Sequence, residues 1–113
     1  MDIQTTKFKR CHVVKAIGRI DSYTAPQLEA AFNTVIDKGE SNLVFDASEI
    51  TFVSSAGWWT LIRAQKNLKG RALNPGEVVL VKLDARIHES MELVGIGNFF
   101  KIFEDLTTAV GNF

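Results

Sequence analysis

The stretch Thr51-Phe52-Val53-Ser54-Ser55-Ala56-Gly57 leads from a strand into an amphipathic helix. Upstream, Asn42-Leu43-Val44-Phe45 is apolar without alternation, which indicates a strand covered on both faces and ending at Asp46. A buried strand followed directly by a helix is typical of a crossover unit in a parallel sheet. The helical period then predicts an inward-facing stripe of Trp58, Leu61, Ile62, Gln65 and Leu68.

Strands and helices alternate along the rest of the chain. Further strands are predicted at residues 2–8, 11–20, 78–82 and 99–103, and further helices after Thr24, after Asp84 and over residues 106–113. The resulting order, ββαβαβαβα, predicts a single α/β domain over residues 1–113. We expect a small mixed β-sheet with crossover helices.

The first helix carries signals at both of its ends. Thr24 is predicted to be the N-cap, with Gln27 completing a capping box three residues later and Pro26 in the first turn. Lys38 and Gly39 are typical of a helix end. Asp84 can cap the third helix, whose apolar residues are Ile87, Met91, Leu93 and Val94.

Three polar features come directly after predicted strands. Asp21 follows the second strand, Asp46 follows the third, and Ser54-Ser55 opens the second helix. In sheets of this kind, the carboxyl ends of the strands form the usual binding edge. The sequence therefore predicts a site where two carboxylates lie close to a pair of serines.

The paired serines have two compatible interpretations. A serine at a helix start commonly accepts a hydrogen bond from an early helical N–H, which contributes about 1 kcal/mol, and position alone favours this capping role. The same N–H groups and the helix dipole also favour an added anion, so the site is a candidate for phosphorylation.

Composition excludes several classes of function. The 113 residues include 13 basic and 13 acidic side chains, so the net charge is zero and direct nucleic-acid binding is not expected. The single cysteine, Cys11, allows no internal disulfide and is expected to be a small buried hydrophobe. No apolar run approaches the ~20 residues of a membrane span, and the polar residues 1–6 do not resemble a signal peptide. We expect a cytoplasmic protein without a membrane partner.

Signals for catalysis, cofactors and metals are also missing. His12 and His88 fall in a strand and a helix, distant in sequence from the serines, and two isolated histidines with one cysteine form no metal-binding pattern. Neither the Gly-x-Ser-x-Gly pattern of serine hydrolases nor a phosphate-binding glycine loop occurs. We expect no catalytic residue, cofactor or metal, and a small enzyme is the least favoured function.

Four motifs occur in order along the chain: Gly18-Arg19-Ile20-Asp21, Thr24-Ala25 at a helix start, Asn42-Leu43-Val44-Phe45-Asp46, and the stretch from Thr51 to Gly57. This series resembles the STAS domain, and within it the bacterial anti-sigma factor antagonists. The likeness continues through Val78-Val79-Leu80-Val81 and Phe100-Lys101-Ile102-Phe103, so it covers nearly the whole chain.

The resemblance implies a partner-switching regulator with no catalysis of its own. Such a protein binds an anti-sigma factor that is also a serine kinase, is released when that kinase phosphorylates it, and is restored by a serine phosphatase. The family's acceptor is the first serine of an Asp-Ser-Ser-Gly pattern, which aligns with Ser55. Ser54 stands where the family commonly has Asp, which makes it the alternative acceptor, and Ala56 replaces the second serine. From the resemblance and the strand ends together, the residues expected at the partner surface are Asp21, Ser22, Tyr23, Asp46, Ser54, Ala56, Gly57 and Trp59.

Two alternatives stay open at this point. Trp59 follows the inward-facing Trp58 and should point outward, where it either packs against a neighbouring helix or anchors a partner. The alternative function is that of a STAS scaffold subunit in a stressosome, a lipid-transport complex or an anion transporter.

Overall fold

Five strands form one mixed sheet in the order β1-β2-β3-β4-β5. β1 and β2 form an antiparallel hairpin, and every other neighbouring pair is parallel. The mixed sheet predicted from the element order is therefore confirmed. In this computed structural model, which describes residues 1–113, the strands are β1 (Asp2–Lys7), β2 (His12–Ile20), β3 (Asn42–Val53), β4 (Glu77–Val81) and β5 (Ile102–Phe103).

Four helices connect or follow the parallel strands. They are α1 (Ala25–Asp37), α2 (Ser55–Lys69), α3 (Ala85–Leu93) and α4 (Leu106–Gly111). Side chains of α1, α2 and α3 share one large core with the sheet, whereas α4 contributes to a second, smaller core. The two cores lie on opposite faces of the sheet.

Strand β4 is buried on both faces of the sheet, which explains why apolar and polar residues do not alternate in its sequence. Val78 and Leu80 belong to the large core, while Val79 and Val81 belong to the small one. Because successive side chains of a strand point to opposite faces, a strand covered on both faces must be apolar throughout.

Strand β3 is longer than predicted. It runs without a break through Asp46 to Val53, and its pairing with β2 contains two register irregularities. The prediction that Asp46 ends a strand is therefore wrong. A polar residue after an apolar run usually ends a strand, but here local bulges let the strand continue beside β2 for another seven residues.

The start of α1 also differs from the prediction. Thr24 has helical backbone angles, φ −98° and ψ −21°, and its side chain makes no capping hydrogen bond. Its hydroxyl instead donates to the carbonyl oxygen of Arg19 at 2.7 Å and accepts from the N–H of Asp21 at 3.0 Å. The capping box with Gln27 is therefore wrong, because the hydroxyl is used to close the turn before the helix.

Strand β5 is only two residues long, and before its start the buried side chain of Gln65 links the backbones of Val78 and Phe99. Gln65 accepts a hydrogen bond from the N–H of Val78 at 2.6 Å and donates one to the carbonyl oxygen of Phe99 at 3.0 Å. The predicted strand over residues 99–103 is thus replaced at its start by a turn that Gln65 ties to β4.

Two apolar residues of the third helix lie outside the core. Ile87 and Met91 are buried, but Leu93 is 82% exposed and Val94 is 43% exposed. The helix therefore buries only two of its four apolar side chains, because a short helix presents one narrow stripe to the core.

Candidate functional site

The ends of β2 and β3 lie side by side. Ile20 pairs with Val53, and the backbone N–H of Ser54 donates a 2.8 Å hydrogen bond to the carbonyl oxygen of Ile20. Asp21 and Ser54 are therefore the first residues after two paired strand ends. The predicted proximity of Asp21 to the serine pair follows from this register.

The two serines occupy different positions at the start of α2. Ser54 is the N-cap, and its Oγ accepts a hydrogen bond from the N–H of Gly57 at 3.3 Å. Ser55 is the first helical residue and is exposed. The first turn of α2 contains no acidic side chain that could interact favourably with the positive, amino-terminal end of the helix dipole.

Gly57 has a packing role. It is buried, and a Cβ at this position would lie 2.6 Å from Cγ2 of Ile20 and 2.9 Å from Cγ1 of Val53. The start of α2 therefore approaches the strand ends at a distance that only glycine permits. Gly57, which we expected at the partner surface, instead lies beneath that surface.

Asp21 organises the turn between β2 and α1. Its Oδ1 accepts hydrogen bonds from the backbone N–H groups of Tyr23 at 2.9 Å and Thr24 at 3.1 Å. The hydrogen bond from the Thr24 backbone, followed by that from Tyr23, lowers the pKa of the Asp21 carboxyl below its ordinary value, and nearby Arg19 adds to the effect. Arg19 is itself stacked on the ring of Phe52, at 4.4 Å from its centroid.

Two of the predicted partner-binding residues lie in this turn. Tyr23 is 89% exposed, and Ser22 is also exposed. Ser22, Ala56 and Trp59 line one groove of about 320 Å³ between the starts of α1 and α2, which the ion pair of Glu29 with Arg63 borders. The fold thus brings these three predicted residues together on one surface.

Asp46 does not belong to this surface. It is buried, its Oδ1 accepts a hydrogen bond from the N–H of Ser48 at 2.9 Å, and its partner on β2 is Lys15. Lys15 precedes Ile20 by five residues, which corresponds to roughly 16 Å along a strand. The predicted convergence of Asp46 with the serines is therefore wrong, since β3 carries them to the far end of the sheet.

The two tryptophans differ in burial, as predicted. Trp58 is buried, and its Nε1 donates a 3.0 Å hydrogen bond to the Oγ of Ser90 on α3. Trp59 is 54% exposed and lines two hollows: the groove toward α1 and an apolar pocket toward α3. That pocket is also lined by Val94 and Ile96, two residues of the site that the sequence did not predict. Val94 and Ile96 are two residues apart just after α3, and nothing in that short segment of sequence indicates that it packs beside Ser55.

Other kinds of site are not evident in the fold. No group of three or more His, Cys, Asp or Glu side chains is placed to hold a metal ion. None of the four helices combines the length and the apolar character that a membrane span requires.

Comparison with known proteins connects this geometry to a family. The STAS domain family model matches residues 2–109. The Anti-sigma-B factor antagonist of Listeria monocytogenes is 31% identical over 85 residues, which cover 75% of this chain and 72% of the relative. Relatives of this name are regulators rather than enzymes.

Solved structures agree with the sequence relatives. An anti-sigma factor antagonist from Mycobacterium paratuberculosis superposes with a TM-score of 0.85 at 25% identity, covering 98% of this chain and 92% of that one. SpoIIAA, solved in its unphosphorylated form and, from Bacillus, in its phosphorylated form, shares the fold at TM-scores of 0.82 and 0.75 with 17% and 18% identity. Each comparison covers 98% of this chain, and 95% and 98% of the respective SpoIIAA chains. The chain therefore belongs to the STAS domain family, among the anti-sigma factor antagonists.

Proposed function

We propose that this protein binds an anti-sigma factor through the surface around Ser55 and is released when Ser55 is phosphorylated. The observation that carries this proposal is an exposed serine at the first position of α2, next to the end of β2 and the Asp21 turn. The names of its relatives support an anti-sigma factor as partner. The two solved forms of SpoIIAA support a switch by phosphorylation.

Ser55 is a better acceptor than Ser54. The Ser54 hydroxyl is half-buried and accepts the hydrogen bond from Gly57 N–H, so its modification would remove the cap of α2. Ser55 is exposed, and a kinase can reach it without disturbing that cap. The family's usual acidic residue is missing before Ser55, so we expect the cognate kinase to tolerate Ser at that position.

The chemistry belongs to the partner enzymes. Ser55 Oγ attacks the γ-phosphorus of ATP held by the anti-sigma factor kinase, the bond from that phosphorus to the ADP oxygen breaks, and the hydroxyl proton passes to a kinase base. A serine phosphatase then uses water to release inorganic phosphate and regenerate the hydroxyl. This chain acts as the substrate in both steps and is not itself an enzyme.

The added charge accounts for the release. A phosphoryl group brings about −1.5 to −2 charges at neutral pH. The α2 dipole returns only about 0.3–1 kcal/mol at an exposed position, whereas a misplaced charge in an interface costs several kcal/mol. Since about 1.4 kcal/mol is tenfold in affinity, a switch of ten- to a thousand-fold requires no large conformational change.

Capture followed by phosphorylation tests the proposal. Ser55→Ala chain is used as bait in the cytoplasmic extract of the source organism, and the retained anti-sigma factor is purified and incubated with wild-type chain and Mg-ATP. We expect phosphate on Ser55 by mass spectrometry, unchanged labelling of Ser54→Ala, and weak binding by Ser55→Asp. Absence of phosphate from both serines would overturn the switch, and retention of transport or stressosome subunits instead would favour the scaffold alternative.

A further inference from the structure

An apolar pocket opens directly beside Ser55. It lies between α2 and the segment after α3, and its volume is about 140 Å³. Its walls contain no charged side chain, and Ser55 is their only polar residue. The lining residues are Ser55, Trp58, Trp59, Ile62, Val94 and Ile96.

The size of the pocket limits what it can hold. An apolar protein cavity of about 150 Å³ stays dry and accommodates benzene, whereas pockets for cofactors and drug-sized ligands span about 300–1,000 Å³. The pocket beside Ser55 therefore fits one uncharged aliphatic or aromatic group, equivalent to a single Leu, Ile, Met or Phe side chain.

The surroundings of the pocket are apolar and exposed. Trp59 and Val94 contribute both to its walls and to the open surface, and the neighbouring Leu93 is among the most exposed apolar side chains of the chain. Exposed tryptophan is enriched at the energetic centres of protein interfaces, where an apolar anchor enters a pocket. These side chains are continuous with the Ser55 surface, because Ser55 and Trp59 belong to both.

We propose that the anti-sigma factor inserts one uncharged apolar side chain into this pocket, and that the phosphoryl group on Ser55 closes the pocket to it. The identity of the partner rests on the function proposed above. The phosphoryl group would stand on the pocket wall with its hydration shell, and burying an apolar side chain against a charged group strips that shell without providing a new partner. The switch thus acts by removing an anchor site as well as by adding charge.

Charge placed on the pocket wall without touching Ser55 tests the proposal. Val94 is half-exposed, so Val94→Asp leaves the core intact, and Leu73→Asp introduces the same charged side chain at an exposed leucine in the α2–β4 connection. By calorimetry without ATP, against the anti-sigma factor isolated with the Ser55→Ala bait, we expect Val94→Asp to bind at least tenfold more weakly than wild type. Leu73→Asp should bind within twofold of wild type. Equal affinity of Val94→Asp and wild type would overturn the proposal.

A small probe tests the pocket without any partner. Toluene, which matches the ring and first carbon of a single Phe side chain, should shift the NMR methyl signals of Ile62, Val94 and Ile96 and the indole signal of Trp59. Methyl signals on the other face of the sheet, such as that of Val79, should not move. Ser55→Asp should weaken the response. No shift at these positions in the wild-type chain would overturn the apolar anchor site.

The outcomes separate this inference from the function on which it rests. If wild type binds the anti-sigma factor, Ser55→Asp does not, and Val94→Asp binds like wild type, only the pocket proposal fails. If wild type retains no anti-sigma factor, the proposed function fails. If sedimentation shows a wild-type dimer that Val94→Asp dissociates, the occupant is a second copy of the chain, and the pocket proposal is overturned.

Discussion

The backbone N–H of Ser54 donates a 2.8 Å hydrogen bond to the carbonyl oxygen of Ile20. This single contact joins the end of β2 to the start of α2, two elements that are separated in the sequence by α1 and the whole of β3. It places the Asp21 turn beside the serines, and it holds the first turn of α2 close to the sheet.

Replacement of Gly57 by alanine should destabilise the protein by about 1–3 kcal/mol, because the new methyl group would be forced against Ile20 and Val53. Urea unfolding measures the change in free energy. Gly111→Ala is the matched control, since nothing lies within 4 Å of a Cβ at that position in α4. Similar stability of the two variants would contradict the close approach of α2 to the strand ends.

Replacement of Ser54 by alanine should destabilise the protein more than replacement of Ser55. Ser54→Ala removes the hydroxyl that accepts from Gly57 N–H and should cost about 1 kcal/mol. Ser55→Ala removes an exposed hydroxyl and should change stability by less than about 0.5 kcal/mol. Thermal and urea unfolding of both variants check this difference, and equal losses would show that the capping role is shared.

Gln65→Leu should be destabilising even though leucine is apolar and similar in size. The change leaves the N–H of Val78 and the carbonyl oxygen of Phe99 without their partner in a buried setting, at about 1–3 kcal/mol for each unsatisfied group. Asn67→Leu, on the exposed side of the same helix, should stay within about 0.5 kcal/mol of wild type. Hydrogen exchange of the Val78 amide gives a direct measurement, and unchanged protection in Gln65→Leu would contradict the bridging role.

The Asp21 carboxylate should contribute to the acid sensitivity of folding. Its pKa is lowered in the folded state, chiefly by the hydrogen bond from the Thr24 N–H, relative to an ordinary value of 3.8. The unfolded chain therefore binds this proton first as pH falls, so the stabilisation is complete above 3.8 and is lost as pH falls through the folded pKa.

The variant Asp21→Asn isolates this contribution. Its amide oxygen can still accept from the backbone of Tyr23 and Thr24, but it does not titrate, so the fall in stability with acid should be shallower than in wild type. Urea unfolding at neutral pH and below 3.8 makes the comparison. An identical acid dependence in the two proteins would rule out the carboxylate of Asp21 as a source.

Much of the architecture was predictable because its signals are local. The apolar run at the start of β3 indicated a strand covered on both faces, and the period of α2 identified a stripe that is buried from Trp58 to Leu68. The N-cap at Asp84 was also predicted correctly, since its Oδ1 accepts from Ile87 N–H at 2.9 Å. Each of these features depends on residues within one or two turns of chain.

The errors share a different cause. Asp46 was expected at the site because a polar residue after an apolar run usually ends a strand, but bulged pairing with β2 carries β3 onward to Val53. Among the apolar residues of the third helix, packing buries Ile87 and Met91 but leaves Leu93 and Val94 exposed, a difference that the sequence did not predict. Neither pairing register nor edge packing is encoded in a short window of sequence.

The order of elements, the family resemblance and the position of Ser55 at a helix start can be read from the sequence alone, because periodicity, capping and short motifs act over a few residues. The packing of the folded chain was needed to show that Asp21 lies beside the serines while Asp46 does not. It also decided that an apolar pocket, closed by Val94 and Ile96 from a distant segment, opens next to Ser55. Those relationships depend on strand register and on how helices that are remote in sequence pack together. Many registers and packings are compatible with the local sequence, and the burial of apolar residues from distant segments selects one of them.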